Sequence, residues 1–486
     1  MQTFFWHDYE TFGTDTVRDR PSQFAGVRTD ADLNVIEEPI TLYCQPADDY
    51  VPDPMACLVT GITPQEAREK GYPEAEFIGR IHDCFSVPET CVVGYNSLRF
   101  DDEVTRQTLY RNLRDPYARE WKSGNSRWDI IDMVRLCYAL RPEGIVWPER
   151  EGGLPSFRLE ELTRANGIAH ESAHDAMSDV HATIAVARLI REKQPKLYDY
   201  VLNHRDKRSA QSMLDWQRLR PVFHVSSHIP ASLGCCAMVL PVAPHPVNRN
   251  ATLVLDLRQD PEFVLNASVE EIRQRVFTRA DDLPEGVERV PLKAVHANKC
   301  PVLAPGTMLK TMDPARLERF ELNGEVLRRH LRQYREAAQQ QGAQALADKI
   351  SAVFADQSFP ESQDPDEMLY GGGFFSPQDR QLLDQVLETD PELLGEMEFP
   401  FQDPRLPDML FRYRARNYPH TLSADEQERW ESFRQQRLLQ PGGQWRSLPA
   451  YFQTLERLAT EKSDDRKAQL LLHELQLYGE SLIPYA

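Results

Sequence analysis

Two acids stand two residues apart in His7-Asp8-Tyr9-Glu10-Thr11-Phe12-Gly13, where a short apolar run ends. If that run is a strand, its side chains alternate across the sheet, so Asp8 and Glu10 share a face. Carboxylates held that way repel unless a divalent cation neutralises them, and Mg²⁺ or Mn²⁺ takes oxygen ligands of this kind. The pair alone also fits a solvated strand face. A second acid, Asp101, follows the buried-strand run Val92-Val93-Gly94-Tyr95 and heads the trio Asp101-Asp102-Glu103. A helix starting there can use one member of that trio as a plain N-cap. The third place is His174-Asp175-Ala176-Met177-Ser178-Asp179, which opens a helical pattern with Val180, Ile184, Ala187 and Ile190 inward. Asp175 is the natural N-cap. Asp179 lies a turn inside, beside Val180 and close to the positive helix end. An acid next to a buried stripe needs a partner, and a metal supplies one. A histidine before a helix is ordinary; His174 stands out because an acid follows five residues later.

The elements that must gather these acids read as α/β over the first ~195 residues. Strands are expected at Thr3–His7, Gln23–Thr29, Ile40–Gln45 and Cys91–Tyr95. Helices are expected at Asp102–Leu113, Ile130–Leu140, Leu159–Asn166 and Ala176–Lys193, with a domain edge at Gln194-Pro195. Strand-like runs at Ala237–Leu240, Thr252–Leu257 and Val290–Val295, with helical pieces at Val269–Phe277 and Pro314–Arg319, predict a small β-rich second domain. One helix from Gly324 to about Phe354 follows it. Asp356–Glu367, acidic and holding Pro360 and Pro365, reads as a linker. The rest (Pro377–Leu387, Ala424–Leu439, Pro449–Leu482) is mainly helical. The expected domains are therefore 1–195, 196–350 and 356–486.

A chain of 486 residues holds about three domains. Its net charge of −19 excludes a globally basic nucleic-acid binder, though not a local basic track. The charge is uneven. Asp356–Asp408 has fourteen acids against Arg380 and Arg405, hence −12, whereas 105–165 has eleven Lys/Arg against nine Asp/Glu, hence +2, with aromatic residues interleaved. No apolar run approaches the ~20 residues of a membrane span. The N-terminus has no export signal, and the eight cysteines show no C-x-x-C spacing, so reduced thiols and a cytoplasmic location are expected.

The order D-x-E, then F-D, then H-x4-D resembles the DEDDh family of 3′→5′ exonucleases. Four acids can hold two metal ions ~4 Å apart, one activating water and the other steadying the leaving 3′ oxygen. The resemblance makes Asp8, Glu10, Asp101 and Asp179 the metal set and His174 the general base, a role suited to a pKa near neutral. It narrows to the bacterial exodeoxyribonuclease I family through Gly94–Arg106, Asn125-Ser126-Arg127-Trp128-Asp129, Tyr138-Ala139-Leu140-Arg141-Pro142-Glu143-Gly144 and Leu154–Glu160. It continues in Asn248-Arg249-Asn250, Asn298-Lys299-Cys300-Pro301 and Tyr413-Arg414-Ala415-Arg416-Asn417. Cys235-Cys236 and Gln339-Gln340-Gln341 depart from it, outside the motifs. The resemblance implies an α/β ribonuclease-H-like nuclease domain, an SH3-like β-rich domain and a helical C-terminal domain, together lined positively around one DNA strand. It implies processive release of 5′-mononucleotides from single-stranded DNA in DNA repair and recombination, with Mg²⁺ (two ions) or Mn²⁺. Single-strand-binding protein as partner and a monomeric state also come from it.

Single-strand binders combine a basic groove with aromatic platforms. The resemblance points to Arg106, Tyr117, Trp121, Arg135, Arg141, Phe157, Arg158, Tyr200, Lys207 and Asn250 as DNA contacts, and to Glu10 as touching substrate. Lys293, His296 and Lys299 join them as candidates for phosphate. Arg158 is favoured by its own setting at a helix start. Buried aromatics and helix-surface ion pairs are the plainer account of such residues. Two rival readings exist. His170-Glu171-Ser172-Ala173-His174 is a literal H-E-x-x-H zinc-protease motif, with Glu192 as a conceivable third ligand, but Gly167 before it and the cap Asp175 after it make the stretch a loop. A non-catalytic adaptor gripping DNA is the other; the complete acid set argues against it.

Overall fold

The computed structural model of the chain describes residues 2–170, 175–355, 362–440 and 444–483. Thr3–Thr11 (β1), rich in aromatic residues and buried along most of its length, is the centre of a mixed five-stranded sheet. Pro21–Thr29 (β2) pairs with it antiparallel, from Phe4 opposite Thr29 to Glu10 opposite Gln23. Ile40–Tyr43 (β3) lies beyond β2. Three helices follow, Pro54–Thr60 (α1), Pro64–Lys70 (α2) and Glu74–Ser86 (α3). Thr90–Gly94 (β4) then runs parallel to β1, Thr3 opposite Thr90 through Trp6 opposite Val93. Asp101–Arg111 (α4), Ser126–Asp129 (β5), Ile131–Leu140 (α5), Leu159–Ala165 (α6) and Ala176–Lys193 (α7) complete this part, and the sheet order is β3-β2-β1-β4-β5.

Alternation along β1 divides its side chains. Phe5 and Tyr9 join Phe77, Ile78, Ile81 and Phe85 of α3 and Val104 and Leu109 of α4 in one core. Phe4, Trp6, Asp8 and Glu10 take the opposite face.

The chain forms two compact units, 1–127 with 170–183 and 360–486, and 128–169 with 184–359. In the second, an antiparallel sheet has the order Leu292–His296, Ala251–Asp256, Cys236–Pro244, Val222–Val225, Leu303–Pro305. Val222, Val239, Val254, Val295 and Leu303 fill its core, as the β-rich expectation requires. All eight cysteines are free thiols. Among the described residues, no helix is long and apolar enough to cross a membrane.

Two expectations change. The helix after Gly324 is two helices, Gly324–Gln341 and Ala343–Val353, because Gly342 takes φ +90° between them. Of the expected linker, 356–361 lie outside the described residues, and the remainder is tied down: Asp366 is buried and accepts from Arg416 at 2.7 Å and Arg412 at 3.1 Å. The last stretch is helical as expected, in two helices, Leu448–Glu461 and Arg466–Ser481. Helices α1 and α2 went unforeseen, although Asp53-Pro54 and Thr63-Pro64 start them with a capping side chain and a proline at the first helical turn.

Candidate active site

β4 stops at Gly94, while β1 continues to Thr11. Beyond Trp6, β1 therefore has no β4 partner. The chain leaves β4 through Asn96, at φ 61°, and a 3₁₀ turn at Ser97–Arg99 before α4. A Cβ on Gly94 would fall 2.5 Å from Ser97 Cβ, so this tight exit needs glycine. The exit delivers Asp101 to the open edge of β1, where its Oδ1 accepts the Tyr9 N–H at 3.1 Å. The third acid is thus fastened to the amide between Asp8 and Glu10. From the even face, α7 contributes Asp179. One carboxylate oxygen each from Asp8, Glu10 and Asp179 lies within 4.8 Å of the others.

Burial first, then Asp101, Glu10, Asp179 and Asp175, raises the Asp8 carboxyl well above its ordinary range. Burial, then Asp179, Asp101 and Asp175, pushes Glu10 up to about 9. The charges that act most strongly on these two groups are other carboxylates. Such a set fits hard divalent cations, which supply the missing positive charge and accept oxygen ligands alone. His174 lies outside the described residues. Asp175 caps α7, accepting from Ser178 N at 3.2 Å, as expected.

The trio at the head of α4 splits three ways. Asp101 goes to the site, and Asp102 is buried between Arg119 at 2.8 Å and Arg127 at 2.7 Å. Burial pushes Asp102 up, but Arg127 and Arg119 outweigh it and hold the group well below the carboxylate range. Glu103 pairs with Arg106 at 2.7 Å. None of them caps the helix: its N-cap is Phe100, without a side-chain bond.

The proposed DNA contacts fall into distinct settings. Arg158 is exposed, with Glu161 at 3.6 Å, and Trp121 is 68% exposed. Lys207 and Lys299 are exposed as well. Phe157 is buried against Tyr138 and Trp147, with the Arg135 guanidinium 5.7 Å from its ring. Arg106 is held by Glu103 and Glu120, and Tyr117 covers its guanidinium at 5.5 Å. Arg141 donates to Thr311 Oγ1 at 2.8 Å, and the Tyr200 hydroxyl donates to the Leu303 carbonyl at 3.0 Å. Lys293 donates to His224 at 3.2 Å, and Asn248 reaches the His296 ring at 3.3 Å. The Asn250 carbonyl accepts from Ala297 N at 2.7 Å.

Two residues near the acids escaped the sequence reading. Gln23, opposite Glu10 on β2, accepts the Ala176 N–H at 3.1 Å and so holds the start of α7. His170, met only as part of the rejected H-E-x-x-H, places Nε2 2.5 Å from Asp179 Oδ1. It lies outside any helix, while the other four residues of that motif, 171–174, lie outside the described residues. Pairing across a strand register leaves no local pattern, and only the sheet order would have exposed Gln23.

Residues 5–187 match the exonuclease family, 205–356 the exonuclease I SH3-like domain, and 363–482 the exonuclease I C-terminal domain. Exodeoxyribonuclease I of Escherichia coli (strain K12) is 47% identical over 484 residues, covering 99% of this chain and 98% of that protein. Its counterpart from Haemophilus influenzae is 44% identical over 482 residues, 99% of each. The crystal structure of E. coli exonuclease I in complex with a dA16 oligonucleotide superposes with a TM-score of 0.93 at 47% identity, over 99% of this chain and 100% of that one. A moderately thermophilic exonuclease I from Methylocaldum szegediense gives 0.92 at 50% identity, over 99% and 100%. The architecture is thus an α/β exonuclease domain, an SH3-like domain and a helical C-terminal domain, and the chain is a nuclease of the hydrolase class. Likeness sustained through all three parts at this identity admits one assignment: the chain belongs to the exonuclease I family.

Proposed function

We propose that this chain is a metal-dependent 3′→5′ exodeoxyribonuclease that degrades single-stranded DNA processively to 5′-mononucleotides, in DNA repair and recombination. The observation that carries the chemistry is the convergence of Asp8, Glu10 and Asp179 within 4.8 Å. Asp101, bonded to the amide between the first two, completes the set. These four acids would hold two Mg²⁺ ions, Mn²⁺ serving in their place; a bound pair neutralises charge on the scissile phosphate and lowers the pKa of water. A solved zinc-bound form of the E. coli exonuclease I–single-stranded DNA complex supports divalent-cation use. The relatives solved with dA16 and dT13 support the polymer.

The chain's own residues do the rest. His174 takes the proton from the attacking water. Glu10 also faces the terminal nucleotide. Arg158, exposed, grips phosphate. Tyr117 and Trp121 offer ring faces to bases. Arg106, Arg135, Arg141, Phe157, Tyr200, Lys207, Asn250, Lys293, His296 and Lys299 make up the remaining track. The division 1–195, 196–350 and 356–486, a monomeric cytoplasmic protein, and association with single-strand-binding protein belong to the same proposal.

A 5′-labelled single strand, incubated with Mg²⁺ and resolved by length over time, tests it. Labelled products should shorten stepwise and stop on adding chelator. Immediate release of the label, or an intact strand with Mg²⁺ present, overturns the reading. Asp8→Ala should abolish shortening yet keep metal-free binding, which separates an enzyme from an adaptor.

A further inference from the structure

Tyr9 stands between the two acids of β1, and alternation sends its ring to the sheet face opposite Asp8 and Glu10. The ring is buried there, edge to face with Phe24 at 4.8 Å and with Phe77 at 6.4 Å. Packing alone does not call for its hydroxyl, since Phe5, Phe24, Phe77 and Phe85 fill the same core without one. A buried phenol needs a polar partner, and Thr105 of α4, itself buried, places Oγ1 3.1 Å from the Tyr9 oxygen. Thr105 Oγ1 also lies 2.8 Å from the Asp101 carbonyl oxygen. Counting protons fixes the directions. A carbonyl only accepts and Thr105 has one hydroxyl proton, so that proton goes to Asp101 and the Tyr9 O–H donates to Thr105. Tyr9 therefore grips Asp101 twice. Its amide donates to the carboxylate at 3.1 Å, and its hydroxyl reaches the carbonyl of the same residue through Thr105. α4 begins without a capping side chain, so its first residue is held by this grip in place of a cap.

We propose that Tyr9 and Thr105 are positioning residues, whose paired hydroxyls hold Asp101 against the strand carrying Asp8 and Glu10 and so set how tightly the acids take a divalent cation. The proposal rests on the nuclease reading above and deepens it. Asp8 and Glu10 share a strand and keep their spacing by themselves, whereas Asp101 comes from another element and has to be tied to them. Both supporting side chains are neutral, and the Tyr9 ring points away from the acids. Removing either hydroxyl leaves the charge of the site unchanged and alters the placement of Asp101. Mg²⁺ is the exacting probe of that placement, because it demands near-ideal octahedral geometry from its oxygen ligands.

Mg²⁺ binding to the full chain without DNA, read from the rise of the thermal midpoint over an EDTA baseline, tests this alongside digestion of 5′-labelled dT16. Tyr9→Phe should raise the Mg²⁺ concentration for half of that rise about tenfold, the low end for a group supporting a metal ligand, and lower kcat by a similar factor. KM for dT16 and its binding in EDTA should not change. Thr105→Val strands the Tyr9 hydroxyl in the core and should lower the EDTA midpoint as well. The double variant Tyr9→Phe with Thr105→Val removes both polar groups, so its EDTA midpoint should return toward wild type while the weakened Mg²⁺ response stays. Thr105→Ser keeps the hydroxyl and should keep the wild-type Mg²⁺ response. A wild-type Mg²⁺ response in Tyr9→Phe or in the double variant overturns the proposal. An equally weak response in Thr105→Ser and Thr105→Val overturns it too and makes Thr105 a packing residue. A wild-type chain that shows no Mg²⁺ response and leaves dT16 intact removes the nuclease reading itself, so the two failures are told apart.

Discussion

Two clusters of buried charge lie in the same unit and follow opposite rules. Around Asp366, acids and arginines are buried together. Asp366 is met by Arg416 at 2.7 Å and Arg412 at 3.1 Å, and Asp49 by Arg416 at 2.9 Å and Arg437 at 3.1 Å. Glu74 is met by Arg111 at 2.8 Å and Arg20 at 3.8 Å. Around Asp8, carboxylates face carboxylates, and the His170 ring lies against Asp179 at 2.5 Å. Burial pushes acids upward in both places. The arginines outweigh it at Asp366 and Asp49 and bring Glu74 down to about 2, whereas at Glu10 burial and repulsion add, reaching about 9. The first cluster carries its counter-ions in the chain and ties a sequence-distant acid to the C-terminal helices. The second is dominated by carboxylates, so a hard divalent cation from outside would balance it. Burying charge is common to both; the source of the opposite charge separates scaffold from site.

The sharpest way to break this contrast is to remove one acid from each cluster. Asp8→Ala should lower Mg²⁺-dependent digestion by a factor on the order of 10³ or more, the loss of several kcal/mol of charge stabilisation. Its metal-free stability in urea should stay level or rise, because the fold no longer holds a carboxyl far above its ordinary range. Asp366→Ala should do the reverse. Leaving buried arginines unmatched costs about 3–5 kcal/mol, read as a lowered urea midpoint. A loss below about 1 kcal/mol would show that the arginine lattice is not self-compensated.

The pH dependence sharpens the same difference. Glu10 has a folded value of about 9 against an ordinary 4.5, so the fold keeps a proton that the unfolded chain releases. Its contribution therefore worsens as pH rises through that window, by up to about 1.4 kcal/mol per unit between pH 7 and 8. Asp366, Asp49 and Glu74 are depressed instead. Their stabilisation is complete above the ordinary carboxyl range and is lost only as pH falls toward their low folded values, about 2 for Glu74. They add no slope near neutrality. In EDTA, urea midpoints at pH 7.0, 7.5 and 8.0 should fall more steeply for wild type than for Glu10→Gln. Saturating Mg²⁺ should flatten the wild-type trend, since bound cations keep the carboxylates ionised. Equal slopes in the two proteins would sink the argument.

What could be read without coordinates follows from how local each cause is. Asp8, Glu10, Asp101 and Asp179 were legible because each sits where a short-range rule operates: strand alternation, a strand-to-helix passage, the first turn of a helix. Val269–Phe277 and Ala424–Leu439 match the expected bounds because Ser268 with Glu271 and Ser423 with Glu426 form capping boxes, a signal written within four residues. Gly342 broke an expected helix unseen, since one glycine costs a helix only about 1 kcal/mol and periodicity runs through it. Asp366 looked like linker charge because its arginines lie 46 and 50 positions away. Phe374 and Phe375 are identical in sequence, and contacts with Arg405 and Tyr110 make Phe375 the partly buried one.

Gln23 is where the same contrast can be probed most gently. It is buried on β2 opposite Glu10, and its amide nitrogen donates to the Tyr43 hydroxyl at 2.9 Å while its oxygen accepts the first N–H of α7. The pairing that places Glu10 therefore also places the helix bearing Asp179, three residues further on. Neither contact involves a charge, so the start of α7 is held to β2 by neutral hydrogen bonds where the arginine cluster is aligned by ion pairs. Gln23→Met keeps the volume and removes both bonds. Such supporting contacts are worth about 10- to 100-fold in metal affinity, and with Tyr43 and the strand register still in place the low end, about tenfold, is expected. Mg²⁺ titration of the thermal midpoint measures it, alongside the Mg²⁺ concentration giving half-maximal digestion. Both should move together while the metal-free midpoint changes little. A large metal-free loss with unchanged Mg²⁺ response would make Gln23 a packing residue, and the alignment of Asp179 would then have to come from α7 itself.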